Sequence, residues 1–228
     1  KRFNLPVYVD NDVNAMALGE YIYGAGRGLK HAFFATLGTG VGGALIINGR
    51  LYRGAYSMAG EIGHISINMN GKKTPEGRGG LETYIGNKRM VQSAVSALRR
   101  GKHSLLSGMV KGNLRNITPK VIAGAAARGD RLALAIMDHT ADCLAAAFAS
   151  VTYLLQPEAI IVGGGVAGSG KALFKPLRRH LAERLHKCFA ARIKIIPAVL
   201  GARAGMIGCA ALVFQNSAAN ASRMSASR

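Results

Sequence analysis

Residues 10–14 read DNDVN, two carboxylates and two side-chain amides in five positions. A carboxylate in such a place can take a proton from an alcohol, while amides beside it hold neighbouring hydroxyls. Helix capping by Asn11 or Asp12 would explain the same residues without any chemistry. A second group follows in AGEIGHISI, residues 59–67, where Glu61 and His64 stand three apart between glycines, and Glu82 lies beyond in GGLETY. As a set these residues offer the acceptors and donors that a polyol needs. Singly, His64 reads as a structural histidine and Glu82 as a first-turn helix acid. The third group has almost no side chains. TLGTGVGGALIINGRLYRG, residues 36–54, places Gly38, Gly40, Gly42 and Gly43 close together around Thr39. Bare backbone lets amides converge on an anion and Thr39 adds a hydroxyl, so the stretch reads as a phosphate nest. A tight turn alone would ask for only one or two glycines. In IIVGGGV, residues 160–166, an apolar run ends in Gly163, Gly164 and Gly165, where a nucleotide's base or ribose could approach; the dinucleotide pattern G-x-G-x-x-G is not matched.

These groups need elements to hold them. LPVYVD, residues 5–10, alternates and predicts a strand running into a helix over 11–23. HAFFATL and GALIING predict two strands about the glycine stretch, and Asn48-Gly49 predicts a tight hairpin to a third. Residues 68–80 read as a polar loop, 81–100 as a helix, and 101–117 are ambiguous. Thr118-Pro119 opens a short helix, and an alanine-rich helix covers 130–155. Strand 158–163, a helix with Pro176 near its first turn, strand 192–200 and a small-residue helix over 201–215 complete the order. The tail from residue 216 is Ser- and Ala-rich and reads as disordered. The expected class is α/β, a mixed sheet covered on both faces.

The chain has 228 residues, 49% of them apolar, enough for a large core. Thirty Lys and Arg against 11 acids give a net charge of +19, a surface that attracts anions. The basic residues are scattered without an RNP-type or zinc-finger motif, so a generally cationic surface is expected rather than a nucleic-acid groove. No run of 18 apolar residues free of charge occurs, and no membrane span is expected. Cys143, Cys188 and Cys209 lie far apart in helical context, which predicts buried free thiols in a cytoplasmic protein.

Six motifs in register, PVYVDNDVNAMALGE, TLGTGVGGALIINGRLYRG, AGEIGHISI, GGLETYIGN, PEAIIVGGGV and AGMIGCAAL, resemble the ROK family of bacterial sugar kinases and sugar-responsive repressors, over residues 5–212. The resemblance implies an actin-like ATPase fold, two RNase H-like lobes closing on ATP and sugar, and a homodimer. It places Asp12 as the base that deprotonates the sugar hydroxyl. Asn11, Glu61, His64 and Glu82 fall on sugar-binding positions, Gly38, Thr39, Gly40 and Gly42 on a phosphate loop, and Gly163, Gly164 and Gly165 near the adenosine. Mg-ATP is the implied phosphoryl donor. Family members normally hold zinc with the histidine of GH and three cysteines. Here Lys73, Pro75 and Gly80 stand where the cysteines belong, so zinc is not expected, and the loop carrying His64 and Glu82 must be fixed otherwise or be loose.

The family's first phosphate loop, D-x-G-x-T, is absent, which suggests that roughly the first hundred residues of such a kinase precede this chain. On that reading residues 1–28 and 201–216 are a remnant of a small lobe, 29–200 form the large lobe, and 217–228 are a tail. Apolar surface would then be exposed on the remnant, and this chain alone would be a poor kinase. Three functions are weighed: a glucokinase-like hexose kinase, the effector domain of a sugar-sensing repressor that meets nucleic acid through a separate segment, and an inactive remnant. Asp12, Asn11, Glu61 and the glycine stretch favour the kinase; the positive charge leans weakly to the repressor.

Overall fold

The computed structural model describes residues 5–226, with side chains described through residue 215. The chain runs α1 (Asp12–Tyr23), β1 (Ala32–Leu37), β2 (Val41–Ile47), β3 (Arg50–Tyr52), β4 (Lys73–Thr74), β5 (Gly77–Arg78), α2 (Asn87–Arg99), α3 (Leu105–Met109), α4 (Pro119–Ala127), α5 (Arg131–Leu155), β6 (Ala159–Gly163), α6 (Lys171–Arg184), α7 (Lys187–Ala190), β7 (Lys194–Pro197) and α8 (Ala204–Ala226). Five strands make one mixed sheet in the order β3-β2-β1-β6-β7, and β4 pairs with β5 apart from it. The first three strands form an antiparallel meander, and β6 and β7 join parallel to β1. The β2–β3 turn carries Asn48 at φ 53° and Gly49 at φ 73°, both left-handed, as a two-residue hairpin with native twist requires.

Alternation along the strands divides the core. Phe33, Ala35 and Leu37 of β1, with Ile160 and Val162 of β6, face a large core built on α5 around Phe148, Leu144 and Met137. Ala32, Phe34, Ala44, Ile46, Ala159 and Ile161 face the other way onto Ala17 of α1. Helix α8 packs on α1 through Leu18, Ala211 and Leu212. The two backbones nearly touch, for a methyl group on Gly208 would overlap the Ala15 carbonyl. Glu20, buried in α1, accepts hydrogen bonds from the amides of Ala25 and Leu200, tying α1 to the segment that leads into α8. Helix α5 is long and apolar enough to cross a membrane, but most of that stretch is buried in this protein's own core.

Several expectations need correction. Residues 5–10 form no strand: among the described residues no strand pairs with them, and Leu5, Val7 and Val9 are exposed. The helix expected over 81–100 is broken, because Gly86 at φ 107° separates a single turn at Leu81–Thr83 from α2. Residues 101–117, ambiguous in the sequence, contain α3 and a turn at Leu114–Asn116. Pro176 is the sixth residue of α6, beyond its first turn. Helix α8 continues to Ala226 through the tail that reads as disordered; residues 227–228 lie outside the described residues. Cys143 is buried, but Cys188 and Cys209 are exposed; all three are free.

Candidate functional site

The carboxyl ends of the parallel strands, where ligands of open α/β sheets collect, carry both glycine stretches. Gly38-Thr39-Gly40 turns from β1 into β2, with the Gly38 amide donating to the Gly40 carbonyl at 3.0 Å. Thr39 at its tip is exposed. The Asn87 amide donates to the Gly38 carbonyl at 3.1 Å, so the turn is anchored to the start of α2. Gly163 ends β6 opposite Thr36 of β1. Gly164, at φ 85°, presses on the backbone of Leu37, and Gly165 leads into the turn Val166–Ser169. Gly163 and Gly164 line a small crevice of about 40 Å³ shared with Val13, Met16 and Glu20 of α1.

Why the second half of GTGVGG is glycine is a matter of packing. A methyl group on Gly42 would lie 2.6 Å from Val13 Cγ2. One on Gly43 would run into the Gly60 carbonyl. These two positions let α1 and the 60–64 segment close onto β2. The start of α1 is thereby seated beside the glycine hairpin. Asn11 is its N-cap, its Oδ1 accepting from the amides of Val13 at 2.8 Å and Asn14 at 3.3 Å. Asp12 begins the helix, exposed, with its carboxylate on the Val13 amide at 2.8 Å. Of the two cap candidates in the sequence, Asn11 does the capping and the Asp12 side chain faces solvent.

Asp10 is held more firmly than either. Its Oδ2 accepts from Arg53 Nε at 2.9 Å and Nη2 at 2.6 Å, and its Oδ1 from Asn14 Nδ2 at 2.8 Å. Burial alone would raise its pKa, but the Arg53 guanidinium, Asn14 and the Asn11 amide outweigh that and hold it below the ordinary carboxylate value. Sequence reasoning missed the pair: 43 positions separate Arg53 from Asp10, and no local spacing signals it.

Glu61, His64 and Glu82 stand on the other side of β2. His64 Nε2 lies 3.9 Å from Glu61 Oε2, both side chains about half exposed. Glu82 Oε2 accepts from the Val41 amide at 2.9 Å, so this acid clamps the glycine hairpin from below. An open cleft of about 370 Å³ brings together Thr39, His64 and Glu82, and is completed by Thr74 and Glu76 and by Lys88 and Arg89 of α2. Asn11, Asp12 and Glu61 do not line this cleft, and Gly163, Gly164 and Gly165 lie apart from it.

The residues do not fit zinc. His64 has Lys73, Pro75 and Gly80 where further ligands would be needed, and none of these can coordinate the ion. Among the described residues no three His, Cys, Asp or Glu side chains are placed to hold a metal.

A profile of the ROK family matches residues 1–216. The chain belongs to the ROK family. It is 33% identical to a glucokinase of Thermotoga maritima, over 93% of this chain and 67% of that protein. It is 30% identical to a xylose repressor of Caldicellulosiruptor bescii, over 95% of this chain and 54% of that protein. Its fold superimposes on a ROK family glucokinase from Streptomyces griseus, solved with glucose and AMPPNP, at a TM-score of 0.84 and 35% identity, covering 92% of this chain and 69% of that one. The chain therefore spans between about half and two thirds of the length of these relatives. The mixed α/β fold expected from the order of elements matches that of ROK glucokinases.

Proposed function

We propose that this chain carries the sugar- and phosphate-binding part of an ATP-dependent hexose kinase. In this reading Asp12 removes the proton from the acceptor hydroxyl as the γ-phosphoryl group leaves Mg-ATP. The amides of Thr39 and Gly40 face the phosphates on a turn that the Gly38 amide closes, and Asn11, Glu61, His64 and Glu82 hold the sugar. The observation that carries the proposal is the seating of α1 against β2 at Gly42. It puts an exposed carboxylate, held by the Val13 amide, at the end of the helix that packs on the strand leaving an anchored, amide-rich turn. Glucose and AMPPNP in the Streptomyces griseus glucokinase support a hexose and an adenine nucleotide as the substrates.

Replacing Asp12 by Asn in the full-length protein tests this. The amide keeps the shape and the hydrogen bond to Val13 but cannot accept the proton. Turnover, followed by coupled ADP release, should fall by about 10²- to 10⁴-fold, while sugar binding by calorimetry stays within a few-fold. Undiminished turnover would remove Asp12 from the role. A second reading, a sugar-sensing effector domain, is favoured by the resemblance to the xylose repressor. It predicts sugar binding without ADP release.

A further inference from the structure

Two short segments connect His64 to Glu82 and pair antiparallel. The Ile67 amide donates to the Gly79 carbonyl at 2.9 Å, the Leu81 amide to Ile65 at 3.0 Å, and Ser66 bridges Gly80. His64 precedes one arm of this ribbon and Glu82 follows the other, so its register sets where both side chains enter the cleft. At its far end the chain closes on itself. The Gly71 amide donates to Asn68 O at 3.0 Å and the Gly79 amide to Lys72 O at 3.0 Å. Arg78 Nη1 reaches across to the Gly71 carbonyl at 3.0 Å. Packing there is tight: a methyl group on Gly71 would meet the Tyr84 hydroxyl and stand 2.6 Å from Gly79 Cα. Beyond this closure the β4–β5 hairpin projects, and its Thr74, Glu76 and Gly77 form a wall of the cleft.

We propose that Arg78 is a positioning residue that closes this ribbon where other family members use a metal, making the sugar-binding wall of this protein independent of zinc. The guanidinium cross-links the arms through one charge-assisted hydrogen bond. The consequence for His64 and Glu82 rests on the kinase reading; the closure itself does not.

The test uses the whole protein, Arg78→Ala and Arg78→Lys. Purified wild type should hold less than about 0.1 zinc per chain by mass spectrometry, where a structural site would hold one. Its melting curve should be unchanged by a strong chelator. Loss of one hydrogen bond to a charged group should let a lysine-specific protease cut at Lys72 and Lys73 about tenfold faster in Arg78→Ala, with partial protection restored in Arg78→Lys. The same variant should show about a tenfold higher sugar KM with kcat little changed. Stoichiometric zinc with a chelator-sensitive melt, or protease rates in Arg78→Ala equal to wild type, would overturn the proposal. Metal content and proteolysis need no turnover, so a protein that phosphorylates nothing would sink the kinase reading and leave this one standing.

Discussion

Alanine at Gly42 adds one methyl group where α1 rests on β2. That carbon would sit 2.6 Å from Val13 Cγ2 and 3.3 Å from Thr36 Cγ2. Comfortable carbon–carbon contact is about 3.5–4.0 Å, so the helix start or the valine must yield by about 1 Å. Valine within a helix has essentially one side-chain rotamer, which leaves the helix to move. Overpacking of this kind costs about 1–3 kcal/mol. For a chain of this length the melting temperature should drop by about 2–4 °C for each kcal/mol. Asp12, the proposed base, is the neighbour of Val13, and an ångström of misplacement at a reacting group costs about 10²-fold in rate. Melting curves and coupled ADP release would be measured for Gly42→Ala, Val13→Ala and the double variant. Val13→Ala removes the clashing methyl, so the double variant should recover most of the turnover lost in Gly42→Ala. Wild-type melting and turnover in Gly42→Ala would refute the packing argument. So would a loss that Val13→Ala fails to relieve and that appears as a raised ATP KM, since Gly42 would then act by admitting phosphate.

Two further outcomes follow from groups remote from the cleft. Asp130 caps α5, its carboxylate accepting from Ala133 N and Leu105 N at 2.8 Å and from Ser104 Oγ at 2.9 Å. Burial would raise its pKa, but these donors outweigh it and hold the folded value below 3.8. Its stabilisation is therefore complete above the ordinary carboxylate range and lost as pH falls through the depressed value. Asp130→Ala should cost about 2 kcal/mol in urea unfolding at pH 7, and its deficit should shrink below about pH 4. Burial first, and then the charge of Asp142, push the Cys143 thiol up to about 11. A thiol reagent at pH 8 should label exposed Cys188 and Cys209 quickly and Cys143 only on unfolding, as peptide mapping would reveal.

Much of the framework was legible because its signals are local. Asn48-Gly49 dictates a hairpin, Thr118-Pro119 a helix start, and the apolar runs around residues 33 and 160 the central strands. Residues 5–10 show the limit of that reasoning: alternation says that a backbone can extend, and says nothing about whether a neighbour is there to receive its amides. Composition also misled at the tail, where Ser and Ala suit a helix as well as disorder. At the site, the residue types in DNDVN and GEIGH were readable, but the duties of the glycines were not. Gly42 and Gly43 are small because Val13 and Gly60 stand against them, from segments far away in sequence. The clamp of Glu82 on the Val41 amide and the grip of Arg53 on Asp10 are invisible for the same reason.

The embrace of α1 and α8 joins nearly the first element of this chain to its last. The packing of helix α1 is complete only when residues some 190 positions later have been made and folded back, with Leu200 delivering its amide to Glu20. During synthesis β1, β2, β3 and α5 precede α8, so the last contacts of the helix that opens with Asp12 come with the final stretch of chain. The surroundings of that carboxylate are therefore among the last parts of a nascent chain to be completed.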